Sequence, residues 1–169
     1  MLEEITSYLT PYETDWNSWC GNNGIDSSLF KPTAVGWKVA DSDSLARAIL
    51  ELLPFSPQAH IADVDNRKIG SFYLSRELPM GLKVVKVLQR RAGSDDPLGL
   101  DHVDFTVSDI AAVEKMLKEK GIVYEWQSNQ SHKWISTRTI NNREAKFVDS
   151  TVLNIGSNEL RKASHSILS

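Results

Sequence analysis

The sequence predicts an α+β domain of two tandem βαβββ modules preceded by N-terminal helices, and three observations predict it. Val35-Gly36-Trp37-Lys38-Val39-Ala40-Asp41 aligns without a gap on Val103-Asp104-Phe105-Thr106-Val107-Ser108-Asp109, at an offset of 68 residues. Each copy alternates apolar residues in the manner of a strand and runs into an amphipathic helix. Three more strand-like segments follow each of those helices. Two half-domains related by a pseudo-twofold axis follow from such a repeat, and side chains from both converge only between them.

Taken in order, the first thirty residues stand outside the repeat. Leu2, Ile5, Leu9, Tyr12, Trp16 and Trp19 recur at spacings of three and four, a continuous helical stripe. Pro11 interrupts it, and Thr10-Pro11-Tyr12-Glu13 reads as a helix start, with Thr10 as cap, Pro11 at the first helical position and Glu13 closing a capping box. The expectation is two short helices or one kinked helix ending at Gly21-Asn22-Asn23-Gly24, packed as a lid on one end of the sheet; a dimer surface is the alternative for the Trp16 and Trp19 face. In the first module, Leu45, Ala48, Ile49 and Leu52 form the apolar helix face, and strands are expected at 59–63, 69–76 and 83–89. In the second, the helix face is Val113, Met116 and Leu117, and the strands fall at 124–127, 133–139 and 148–155. Asp65-Asn66, Pro79-Met80-Gly81 and Asn141-Asn142 supply turns, and Gly93 to Pro97 connects the halves. The expected division is a helical cap over 1–31, modules over 32–92 and 99–156, and a polar tail over 157–169, all in one globular domain.

At 169 residues, 41% hydrophobic and 24% charged, the chain has the composition of a globular protein with a real core. A net charge of −3 carries no footprint for nucleic acid, and Arg90-Arg91 is balanced by Asp95-Asp96. Cys20 is the single cysteine, which excludes an intrachain disulfide and a thiolate metal cluster; it reads as a small core filler. Glu3 and Glu4 stand where a signal peptide would be basic, and no apolar run reaches membrane-spanning length. A cytoplasmic protein without membrane or nucleic-acid partners is expected.

A tandem βαβββ pair resembles the vicinal oxygen chelate superfamily, the glyoxalase-like fold, and Leu100-Asp101-His102-Val103-Asp104-Phe105 is similar to its module opening, a hydrophobic-Asp-His-hydrophobic strand start. The leading N-terminal segment resembles the YecM-like branch, which adds helices before the first module. The resemblance implies two four-stranded sheets curled into a cup. In metal-dependent members a His opens the first strand and a Glu lies near the end of the last, once per module. Here those positions are Ala34 and His102, and, pairing Val87-Leu88-Gln89 with Val152-Leu153-Asn154, Gln89 and Asn154. One of four expected ligands is present, and both carboxylates have become amides, a poor set for Zn²⁺, Ni²⁺ or Fe²⁺.

Period-two alternation sorts the faces. Val35, Trp37, Val39, Val103, Phe105 and Val107 turn toward the helices. Gly36, Lys38, His102, Asp104 and Thr106 turn toward the cup, as do Tyr73, His132, Trp134, Ser136 and Arg138. The ligand-binding candidates are therefore Lys38, Tyr73, Gln89, His102, Asp104, Trp134, Arg138 and Asn154. Arg138 offers a fork for a carboxylate or phosphate, Lys38 a point charge, and Trp134 or Tyr73 a stacking face. Alternatively, Lys38 and Asp104 pair across the halves and fill the cup, because buried charges occur with partners.

The leading functional expectation is a protein with a degenerate metal site that binds a small anionic organic molecule between the modules, with no cofactor required. Alternatives are a metal-dependent lyase, isomerase or dioxygenase using His102, Asp104 and His132 around a divalent metal, and a structural or homodimerising module without a ligand. No residue pattern identifies a catalytic group: there is no phosphate loop and no nucleophile elbow.

Overall fold

The computed structural model describes residues 1–129 and 132–150. Helix α1 spans Leu2–Asn22 and precedes strand β1, Lys31–Val39. The first module continues through α2 (Ser42–Leu52), β2 (Gln58–Val64), β3 (Arg67–Tyr73) and β4 (Val84–Gln89). The second comprises β5 (Gly99–Val107), α3 (Ile110–Glu119), β6 (Tyr124–Ser128), β7 (Lys133–Arg138) and β8 (Glu144–Asp149). Strands β1 and β5 keep the 68-residue offset at both ends. So do the helix caps: Asp41 accepts from the Ser44 amide at 2.8 Å, and Asp109 from those of Ala111 and Ala112 at 2.9 and 3.0 Å. A carboxylate there satisfies N–H groups that the first turn leaves without partners.

All eight strands form one sheet, ordered β2-β3-β4-β1-β5-β8-β7-β6. Within each module the first and last strands are parallel neighbours, β1 with β4 and β5 with β8. The modules meet at the antiparallel β1–β5 seam. One face packs the core: Val35, Trp37, Phe72, Val85, Val87, Val103, Phe105, Ile135, Ala145 and Phe147 are buried there with the apolar faces of the helices. The other face is the concave, polar one.

Two expectations for the N-terminal segment are corrected. Of the two forms expected it is the single helix, running through Pro11, but the Thr10 hydroxyl donates to Thr6 O at 3.3 Å instead of capping. Nor does it lie at one end of the sheet. It packs behind the seam, with Trp16 stacked on Phe105 at 4.1 Å, Tyr8 edge-on to Trp37 at 5.4 Å and the Tyr12 hydroxyl donating to Glu144 O. Trp16 and Trp19 are buried core residues, so their stripe is not an outer dimer face. Buried Asp15 clamps the helix to the β7–β8 turn, accepting from the Thr139 hydroxyl and from the backbone and side-chain nitrogens of Asn141.

The last strand is a third correction. The last described strand starts four residues earlier than expected, at Glu144, and covers Glu144–Asp149; of the expected span 148–155, residues 151–155 lie outside the described residues. The alternation of Ala145 and Phe147 against Glu144 and Lys146 forms a strand that pairs with β5 and β7.

Candidate functional site

Registers at the seam set the floor of the concave face. Gly36 lies opposite His102, and the register shifts between Gly36 and Trp37, leaving Asp101 as the extra residue of a β-bulge. That bulge brings Asp101 and His102 together. The imidazole Nδ1 lies 2.7 Å from Asp101 Oδ2, and Nε2 lies 3.4 Å from Asp104 Oδ1. Lys38 Nζ holds the other Asp101 oxygen at 2.7 Å and reaches Asp96 at 3.0 Å. Lys86 Nζ holds Asp104 Oδ2 at 2.6 Å. A row of alternating acidic and basic side chains therefore runs from Asp96 through Lys38, Asp101, His102 and Asp104 to Lys86, crossing both modules.

Beyond Asp104 the second module adds its own groups. Glu144 pairs with His102 in register, and Lys146 with Asp104. Glu144 accepts from the Ser136 hydroxyl at 2.9 Å and meets Arg138 at 3.4 Å. The ion pair from Lys146 Nζ to Glu144 is 3.7 Å long, and the ammonium also lies 5.4 Å from the centre of the Trp134 ring. His132 packs on the same indole, with ring centres 5.4 Å apart.

Burial alone would push the Asp101 carboxyl up, but the His102 hydrogen bond and charge, Lys38 and Lys146 hold it well below the usual carboxylate range. Burial acts on Asp104 likewise and is overcome by Lys86, His102 and Lys146, so its carboxyl is also strongly depressed. Burial lowers the His132 imidazole, and the neighbouring charges of Lys86 and Lys146 lower it further against the opposing pull of Asp104. Burial, then Asp26, pushes the Cys20 thiol up to about 12, an inert core group.

Of the candidates read from sequence, Lys38, His102, Asp104, Trp134 and Arg138 share this face with His132, and Tyr73 lies farther out on β3 opposite Val84. Lys38 and Asp104 do not pair with each other; each takes a different partner. Arg138 is committed to Glu144 and to Asn142 O. Gln89 turns to the helix side, where its amide donates to Ser42 Oγ at 3.2 Å. Its place on β4 follows Val85 and Val87, both core residues, so the alternation that buries them carries it away from the cup. Asn154 lies outside the described residues. Sequence reasoning missed Asp101, Lys86, Glu144 and Lys146. Matching Val85-Lys86-Val87 to Ala145-Lys146-Phe147, a lysine between two core residues in each copy, would have found both lysines.

Positions that open the paired first and last strands are Ala34 with Val84 in one module and His102 with Glu144 in the other. These residues do not fit a divalent cation. Both nitrogens of His102 face carboxylates, Lys86 occupies the free side of Asp104, and Ser136 and Arg138 occupy Glu144. Among the described residues no group of three or more His, Cys, Asp or Glu side chains is placed to hold a metal ion, His102, Asp104 and His132 included. No described helix is long and apolar enough to cross a membrane.

No family model matches the sequence, and no curated protein does. Solved structures do resemble it. A structural-genomics protein called EC4020 superposes with a TM-score of 0.72 at 13% identity, covering 94% of this chain and 92% of its own. That coverage leaves about ten residues unmatched, fewer than the 21 of α1, so the likeness extends into the N-terminal helix. Methylmalonyl-CoA epimerase from Mycobacterium tuberculosis gives a TM-score of 0.54 at 12% identity, covering 74% of this chain and 91% of its own. The Streptomyces coelicolor epimerase in complex with 2-nitronate-propionyl-CoA gives 0.50 at 14%, covering 72% and 98%. At such identities the likeness is one of fold.

Proposed function

From the premise that this chain has the vicinal oxygen chelate, glyoxalase-like fold, we propose that its cup binds a small organic anion without a metal. The carrying observation is the pair Lys86 and Lys146, one from each module, flanking Asp104 beside the Trp134 ring. Lys86 already satisfies Asp104 at 2.6 Å, so Lys146, 3.7 Å from its own acid, is the cation with charge to spare. Lys86 remains partly exposed, with 32% of its side chain accessible. His132, whose charged form is disfavoured by burial and by both lysines, contributes a neutral polar edge. An aromatic acid suits this combination: its ring lies on Trp134 and its carboxylate or phosphate meets the ammonium groups. Lys38, buried between two aspartates, holds the floor together and is not a ligand contact.

Calorimetric titration with benzoate and phenyl phosphate tests the reading, with benzyl alcohol as the uncharged control. Saturable one-site binding of an acid but not of the alcohol is expected, weakened about tenfold or more by Lys146→Ala. Absence of saturable binding by either acid, or equal binding of the alcohol, rejects it. A metal-dependent lyase, isomerase or dioxygenase finds no donor set among the described residues of the cup, and a dimerising module would lack the Trp16 and Trp19 face it was drawn from.

A further inference from the structure

We propose that His132 is a ligand contact of the cup and takes up a proton as the anion binds, which makes the cup a proton-coupled anion site. The inference deepens, and rests on, the reading that the cup binds a small organic anion. His132 immediately precedes β7, and Asn129 fixes its backbone: the Asn129 side-chain oxygen accepts from the His132 amide at 2.9 Å, and the Asn129 amide donates to the His132 carbonyl at 3.0 Å. The imidazole packs on Trp134 with ring centres 5.4 Å apart, on the indole that also lies 5.4 Å from the Lys146 ammonium. It is half-buried, and among the described residues neither ring nitrogen makes a hydrogen bond or an ion pair, so both remain to be satisfied.

Charges that act on the ring come from three strands: Lys86 on β4, Asp104 on β5 and Lys146 on β8. Lys86 already holds Asp104 at 2.6 Å, and Glu144, the other acid on this face of β8, is met by Ser136, Arg138 and Lys146. From β6 and the hairpin come only the uncharged Gln127, bound to the Trp134 indole nitrogen, and Asn129. The free cup therefore presents His132 with two ammonium groups and acids that are engaged elsewhere, and burial with both lysines keeps the imidazole neutral.

An anion seated at the lysines reverses that balance. It screens the ring from the ammonium groups and offers an oxygen to which an imidazolium can donate, a stronger bond than a neutral donor makes. Linkage fixes the sign: His132 then titrates higher in the bound protein than in the free one, and binding takes up a proton between the two midpoints. Affinity rises as pH falls through the bound midpoint and levels off below the free one. Asp104, strongly depressed, stays ionised throughout that range and does not blur the effect.

Benzoate affinity, measured by calorimetry from about pH 8 to about pH 5.5, provides the test, because the benzoate carboxyl stays ionised across that range. The wild-type protein is expected to bind roughly tenfold more tightly at the acid end, the gain that a one-unit rise in the His132 midpoint supplies. His132→Gln, its fold checked by a thermal melt, should hold a single affinity across the range. Proton NMR of the imidazoles reads the same event directly. The resonance missing from His132→Gln identifies the ring, and its titration midpoint should rise by about one pH unit when benzoate saturates the protein. Benzoate affinity that is level with pH, a pH dependence that survives His132→Gln, or a His132 midpoint that benzoate does not move overturns the inference and leaves the anion site standing. Failure of benzoate to bind at any pH also overturns it, and if phenyl phosphate fails as well the cup reading falls with it.

Discussion

A methyl group placed on Gly36 would lie 2.6 Å from Nδ1 and 2.8 Å from Nε2 of His102, closer than any packed contact allows. The ring lies across the seam over the glycine, and only the missing side chain lets it stand between Asp101 and Asp104. Gly36→Ala is therefore expected to destabilise the fold by about 1–3 kcal/mol, the usual cost of overpacking. The cause can be separated from any general effect of alanine in a strand. In a double-mutant cycle, Gly36→Ala combined with His102→Ala should cost clearly less than the two changes added, because removing the ring removes the clash. Additive costs from urea melts would show that the contact is not what Gly36 serves. The repeat makes the same point, for Gly36 occupies in the first module the position that Asp104 holds in the second. One half supplies the space and the other the charge.

The elements of the duplicated core were legible because each rests on local physics. Alternation at Val35, Trp37 and Val39, and again at Val103, Phe105 and Val107, could belong only to a strand buried on one face, and Asp41 and Asp109 announce the helices that follow. The start of the last described strand was not legible by the same rule, because the β signal runs on from Glu144–Asp149 into Val152-Leu153-Ile155, which lies outside the described residues. What decides is pairing with β5 and β7, a property of the assembled sheet. That shift hid Glu144 and Lys146, while the Asp101 bulge, a register event, left no mark on the alternation. Helix α1 is a different case: Pro11 left two short helices or one kinked helix open, and packing selects the single helix. Pro11 is exposed, cannot donate to the carbonyl of Ser7, and still lies inside a helix whose opposite face buries Leu9, Tyr12 and Trp16. Pro11→Ala restores the donor and should raise stability by about 1–3 kcal/mol. An unchanged or lowered midpoint in urea would mean that the two halves of α1 are mechanically separate, the first of the two forms the sequence offered.

Across the whole molecule, charge is concentrated where stability gains least from it. Replacing a buried ion pair with apolar residues is often neutral or favourable, so the row from Asp96 to Lys86 is poorly explained as a device for holding the sheet together. On the proposed function it is the preorganised floor of the cup, and its cost should be visible in the response to acid. Asp101 and Asp104 titrate far below their unfolded range, near 3.9, so the stabilisation they contribute is fully present above that range. It is lost as pH falls, because the unfolded chain then takes up protons that the native state refuses. His132, also depressed, acts in the same direction at higher pH: below about 6.5 the unfolded imidazole is protonated before the native one. Unfolding free energy from urea titrations should thus be nearly level from pH 8 to 7, decline gently between about 6.5 and 5, and fall steeply below about 4. His132→Gln should flatten the gentle step without moving the steep one. Asp101→Asn should reduce the steep one, and if that variant is too unstable to titrate, the slope of the wild-type midpoint against pH still counts the protons taken up on unfolding. A stability that held level to pH 3 would show that these carboxylates are not depressed in the folded protein. The floor of the cup would then lack the fixed negative charge against which Lys86 and Lys146 are held.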